Sequence, residues 1–156
     1  MLDDVASVAR VSGQWAECAK VKPDFAMSHL EPGKEYTLTL EERPDYLYAY
    51  VTGEKDSYEI SKRYWQEIAD HIAGTDYTSV LVDEDIAQSA SVVDVFQLVS
   101  EFQEMGFTGI RIAFFDRKIE HHELNSFGEL VGANRGLDGR AFNDFDLAHE
   151  WLTSGD

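Results

Sequence analysis

Hydrophobic and polar positions alternate along this chain in short runs of two different periods. Tyr36-Thr37-Leu38-Thr39-Leu40 has period two, and so has Tyr46-Leu47-Tyr48-Ala49-Tyr50-Val51, which sets Leu47, Ala49 and Val51 on one face and three tyrosines on the other. Such alternation predicts half-buried strands. Glu42-Arg43-Pro44-Asp45 between them is a turn of hairpin length, so the pair is expected to be antiparallel. The tyrosine face is expected to be half covered, because tyrosine tolerates an edge between apolar and wet. After Gly53 the spacing lengthens: Ile60, Tyr64, Ile68 and Ile72 form a stripe at i+4 with Trp65 and Ala69 beside it. This is a helix, opened by a capping-box-like pair, Asp56 and Glu59, and stopped by Gly74.

From Ser79 to Asp116 the pattern is that of one βαβ unit. Val80-Leu81-Val82 runs into the acidic triplet Asp83-Glu84-Asp85, followed by a polar linker from Ala87 to Ser91. Val92, Val95, Phe96, Val99 and Phe102 then recur by threes and fours up to Gly106, and Ile110-Arg111-Ile112-Ala113-Phe114-Phe115 makes the second apolar run, ending at Asp116. Two short β-branched-rich runs around an amphipathic helix predict parallel, buried strands. A third helix fits Glu120 to Asn134, with Leu124, Phe127 and Val131 inward and Gly136 as its stop. Arg140-Ala141-Phe142 is a last short strand, and Asn143 or Asp144 caps a final helix from Phe145 to Leu152. The order ββαβαβαβα describes an α/β domain: one five-stranded, mostly parallel sheet with an N-terminal antiparallel hairpin, covered by four helices. Trp65, Phe96, Phe102, Phe114, Phe127 and Trp151 sit at core spacing.

Composition narrows the setting. A chain of 156 residues, 44% hydrophobic, holds one domain with a real core. Residues 1–26 carry only a blurred helical pattern and are expected to be an extension outside the core, with the domain proper beginning at Met27. The net charge of −17 argues against nucleic-acid or anionic-membrane binding, both of which use positive patches, and suits a basic partner. The single cysteine, Cys18, excludes an intramolecular disulfide. No run approaches the roughly 18 apolar residues of a membrane span, and the acidic N-terminal stretch is unlike a signal peptide, so a cytoplasmic location is expected.

The segments "LEERPDYLYAYVTGE", "SVLVDEDI", "GIRIAFFDR", "FGELVGANRG" and "RAFNDFDLAHEWL" together resemble the STAS-like superfamily, the fold of anti-sigma-factor antagonists, and more narrowly its small bacterial members of unassigned function. The resemblance implies a non-enzymatic regulatory domain that binds another protein through the surface around its second helix. In the antagonists the loop before that helix carries a phosphorylatable serine in an Asp-Ser-Ser-Gly-like setting. Here it reads Gln88-Ser89-Ala90-Ser91-Val92, with the hydroxyls present and the Asp and Gly missing. The fold also resembles CRAL-TRIO lipid-transfer domains, which implies a small apolar ligand as the alternative.

Several residues are candidates for chemistry. Ser89 and Ser91 stand where a phosphate would meet a helix N-terminus, although Ser91 is equally suited to be a simple cap. Asp83 and Asp85 form an Asp-x-Asp at a strand end, where α/β folds place ligands and where carboxylates can hold Mg²⁺. No Thr or Gly-rich phosphate loop accompanies them, so solvated carboxylates and no phosphatase-like activity are expected. Arg135 and Arg140 flank the loop around Gly136 and are expected to bind an anion or pair with Asp83, Asp85 or Asp116. Glu120-His121-His122-Glu123 lacks the i, i+4 spacing of a helical metal pair and is expected to be an exposed helix start. No catalytic residue, metal site or cofactor is predicted.

Overall fold

In the computed structural model, which describes residues 34–155, the sheet follows the chain. The strands are β1 (Tyr36–Glu42), β2 (Leu47–Lys55), β3 (Ser79–Gln88), β4 (Arg111–Asp116) and β5 (Asp138–Phe142), and they lie in the order β1-β2-β3-β4-β5. β1 and β2 are antiparallel, and every later pair is parallel. The helices are α1 (Tyr58–Ala73), α2 (Val92–Ser100), α3 (His122–Ala133) and α4 (Phe145–Thr153). The predicted α/β class and hairpin-first order are those observed. The expectation for residues 1–26 lies outside the described residues.

Strand alternation divides the interior in two. Leu47, Ala49 and Val51 of β2 join Val80 and Val82 of β3 and Ile112 of β4 under α1 and α2, whose Ile60, Tyr64, Ile68 and Leu98 complete that core. On the reverse face Tyr46, Tyr48, Tyr50, Leu81, Ala113 and Phe115 meet Phe145, Ala148 and Leu152 of α4. The three tyrosines are fully buried rather than half covered. Their hydroxyls are satisfied inside, by His149, Asp83 and Asp85.

Local chemistry accounts for the element ends. Ser57, not Asp56, caps α1: its Oγ accepts from the Ile60 N–H at 3.2 Å, and Asp56 accepts from the Ser57 N–H at 2.8 Å. Ser91 caps α2 by accepting from the Asp94 N–H, and Asp144 caps α4 by accepting from the Leu147 N–H. After α2 the chain makes a widened turn, Gln103–Phe107, left by Gly106 at φ 121°, which a side chain would strain. α3 starts later than its pattern suggested, after a tight turn over Ile119–His121. α2 and α3 approach closely because Gly128 faces Val95; a Cβ there would come within 3.1 Å of Val95 Cγ1.

Candidate functional site

β3 does not stop at its acidic triplet. Pairing with β2 continues through Thr52–Asp85 to Lys55–Gln88, so Asp83, Glu84 and Asp85 lie within the sheet and alternate across it. They are not solvated: Asp83 is 0% and Glu84 5% exposed, and Asp85 is buried too. A buried carboxylate needs donors, and the two faces supply them differently. On the tyrosine face, Tyr48 donates to Asp83 Oδ2 at 2.6 Å and Tyr50 to Asp85 Oδ2 at 2.8 Å. Arg117 grips Asp83 with both ends of its fork, Nε to Oδ1 at 2.8 Å and Nη2 to Oδ2 at 2.7 Å, and Lys118 Nζ lies 3.3 Å from Asp85 Oδ1. Burial pushes the Asp83 carboxyl up from its ordinary value, while the bonds from Arg117 and Tyr48 pull it back. Burial raises the Tyr48 and Tyr50 hydroxyls, so both remain protonated donors. The Asp-x-Asp pair is thus bound into an ion-paired network and does not form an open metal seat. The expected partners Arg135 and Arg140 are elsewhere. The cations that do the work follow β4 directly, and a parallel neighbour of β3 ends on the same side of the molecule.

Glu84 faces the other way. The β3–β4 register sets it beside Asp116, the two residues holding the same offset after their apolar runs. Tyr64 Oη lies 2.8 Å from Asp56 Oδ2 and 3.0 Å from Glu84 Oε1, and Ser61 Oγ donates to Asp56 Oδ1 at 2.6 Å. Asp116 accepts from the Lys118 N–H and from Asn125 Nδ2, both at 2.8 Å, and its Oδ2 stands 3.1 Å from His121 Nδ1. The result is a buried polar chain, Asp56–Tyr64–Glu84–Asp116–His121. Burial, reinforced by the Asp56 and Asp116 charges, pushes the Glu84 carboxyl well above its usual range; burial raises Asp56 as well. Glu84, Asp116 and His121 each bring a possible ligand atom within 4.8 Å of the others. The sequence expectation of an exposed His121 is therefore corrected: the turn before α3 folds it inward onto Asp116, while His122 stays exposed.

This polar chain borders a cavity of about 120 Å³ between the sheet and α1, α2 and α3. Asp56, Ser61, Tyr64, Glu84 and Asn125 supply polar groups to its lining, and Trp65, Leu98, Phe102, Phe114, Val99 and Leu137 its apolar walls. The rings are packed together, with Trp65 centred 4.8 Å from Phe102 and 6.1 Å from Phe114. Ser89 and Arg140 also line it, whereas Asp83 and Asp85 lie across the sheet.

No family model matches the chain, and no curated relative matches it. Solved structures do match. An anti-sigma factor antagonist from Mycobacterium paratuberculosis superposes with a TM-score of 0.53, covering 79% of this chain and 98% of its own, at 13% identity. The fold is STAS-like. An uncharacterized protein with a SpoIIAA-like fold from Shewanella loihica is similar at a TM-score of 0.46 and 16% identity, over 80% of this chain and 98% of that one.

The α2 start of this STAS-like domain has a surface of its own. Val92, Val93 and Phe96 are 57%, 71% and 46% exposed, neighbours at i, i+1 and i+4 on one side of the helix. Phe96 is thus outside the core that its spacing suggested. The Arg135 guanidinium stands 5.1 Å from its ring centre while Nη1 donates to the Val131 carbonyl, so Arg135 serves the end of α3 and pairs with no strand-end carboxylate. Arg140 is exposed, 5.7 Å from the Trp151 ring. Ser89 and Ser91 are exposed beside the apolar turn. No helix among the described residues is long and apolar enough to cross a membrane.

Proposed function

We propose that this is a non-enzymatic, cytoplasmic regulatory domain that binds another protein through the first two turns of α2. The observation that carries the reading is the exposed apolar group Val92, Val93 and Phe96, which a helix otherwise packed on a core does not need. The fold likeness to a protein described as an anti-sigma factor antagonist supports a regulatory role. The net charge of −17 favours a partner with basic residues around an apolar centre. Ser89 and Ser91, exposed at the same helix end, are the positions where added negative charge would switch the contact.

Val93→Glu tests this directly. An exposed substitution changes stability by no more than about 0.5 kcal/mol, yet it places a charge in the apolar contact. Wild type and variant are each expressed in the native host, cross-linked and purified. A partner retained by the wild type and lost from a folded Val93→Glu is the expected result. A partner held equally by both moves the contact away from α2, and none in either form removes the protein-binding reading. A second reading, a small-ligand module, has its own observation in the cavity behind α2.

A further inference from the structure

We propose that the cavity between the sheet and α1–α3 takes a small cationic amphiphile, its ammonium head on Glu84 and a body the size of one ring against Trp65, Phe102 and Phe114. Size sets the body. A dry, closed apolar cavity of about 150 Å³ accommodates benzene; this one measures about 120 Å³, has aromatic and aliphatic walls and opens to solvent on one side, so a ring need not lie wholly inside it. A single ring or a short branched chain fits that space, and a long acyl chain does not.

Charge sets the head. Asp83 and Asp85 have Arg117 and Lys118 against them, but both cations lie on the opposite face of β3 from Glu84. On the cavity side three carboxyl groups, Asp56, Glu84 and Asp116, are gathered around Tyr64, Asn125 and His121. The one Tyr64 proton is within reach of two carboxyl oxygens and satisfies only one of them. The other charged groups around the space are Glu129 on α3, which accepts from the Ala141 N–H, Asp94 near the start of α2, and Arg140 on β5. Acceptors therefore exceed donors where the lining is most deeply buried. An ammonium group supplies the missing donors. Its N–H groups donate to the Glu84 carboxylate and to Tyr64 Oη.

α2 turns Val95, Leu98 and Val99 to the cavity and Val93 and Phe96 to solvent, but the ligand claim stands apart from the partner claim. Three probes sharing one body separate the heads: benzylamine, benzyl alcohol and benzoate, each titrated calorimetrically into the full chain and checked by thermal shift. Benzylamine is expected to bind at least ~10-fold more tightly than benzyl alcohol, and benzoate is expected not to bind. Glu84→Gln is expected to cancel the amine preference while retaining benzyl alcohol, which shows that its cavity is intact. Equal or better binding of the alcohol or benzoate overturns the proposal, as does unchanged amine binding by Glu84→Gln or no binding of any probe. Stabilisation by Mn²⁺ or Zn²⁺ without stabilisation by benzylamine also overturns it, assigning the cluster of Glu84, Asp116 and His121 to a metal instead.

Discussion

Asp83 and Glu84 are neighbours in sequence and buried on opposite faces of one strand, and what each meets decides its proton. Asp83 meets a two-point arginine. Removing Arg117 leaves a buried charge facing only Tyr48, so Arg117→Ala is expected to cost about 3 kcal/mol, the lower end for a broken buried pair because Arg117 is partly open to solvent. Urea unfolding measures this, and Asp83→Asn combined with Arg117→Met should recover much of the loss. Full additivity of the two changes would contradict the pairing. Glu84 meets carboxyl neighbours, and its carboxyl is pushed well above the usual range. The folded state keeps a proton that the unfolded chain gives up above about pH 4.3. Stability therefore falls as pH rises from there towards the folded value, and buried Asp56 and Asp83 add slopes of the same sign. Glu84→Gln is expected to flatten this decline and to raise the melting temperature at neutral pH; a pH profile identical to wild type would count against it.

At the scale of elements, α2 shows what a sequence pattern conveys and what it leaves out. Its serine cap and the glycine that turns the chain after it are local features, and both were legible. Phe96 was read into the core because its spacing from Val92 and Val99 is helical, but the same spacing serves an outward stripe when the inner one, Val95, Leu98 and Val99, already fills the contact. Ser91→Ala is expected to cost about 1 kcal/mol as a lost cap, whereas Ser91→Asp keeps the cap and stability. Thermal unfolding of the two variants distinguishes them. Equal loss in both would mean that Ser91 does more than cap.

For the whole molecule, the α/β class and strand sequence were legible because each strand and helix declares its own period. The site was not. Its members, Asp56, Tyr64, Glu84, Asp116 and His121, come from three separate stretches and are assembled by the parallel register of β3 and β4 and the packing of α1 and α3. One signal was available: Glu84 and Asp116 fall at matching positions after Val80-Leu81-Val82 and Ile112-Ala113-Phe114, which aligned parallel strands bring side by side. The acidity of the chain acts at the same scale. With a net charge of −17, self-repulsion opposes compaction, and the melting temperature is expected to rise with added salt up to physiological strength, where the screening length is about 8 Å. A flat or falling response would show that ion pairs outweigh the repulsion.

Partner binding at α2 is the claim on which the functional account turns, and site-specific photo-cross-linking tests it most directly. A photoreactive amino acid is placed at Val93 in the full chain, and in a second sample at exposed Thr108 as control, in the native host. The account predicts a discrete protein adduct at position 93 that is absent at position 108 and is lost when Ser89 and Ser91 are both replaced by Asp. No adduct at position 93 above the control would contradict it.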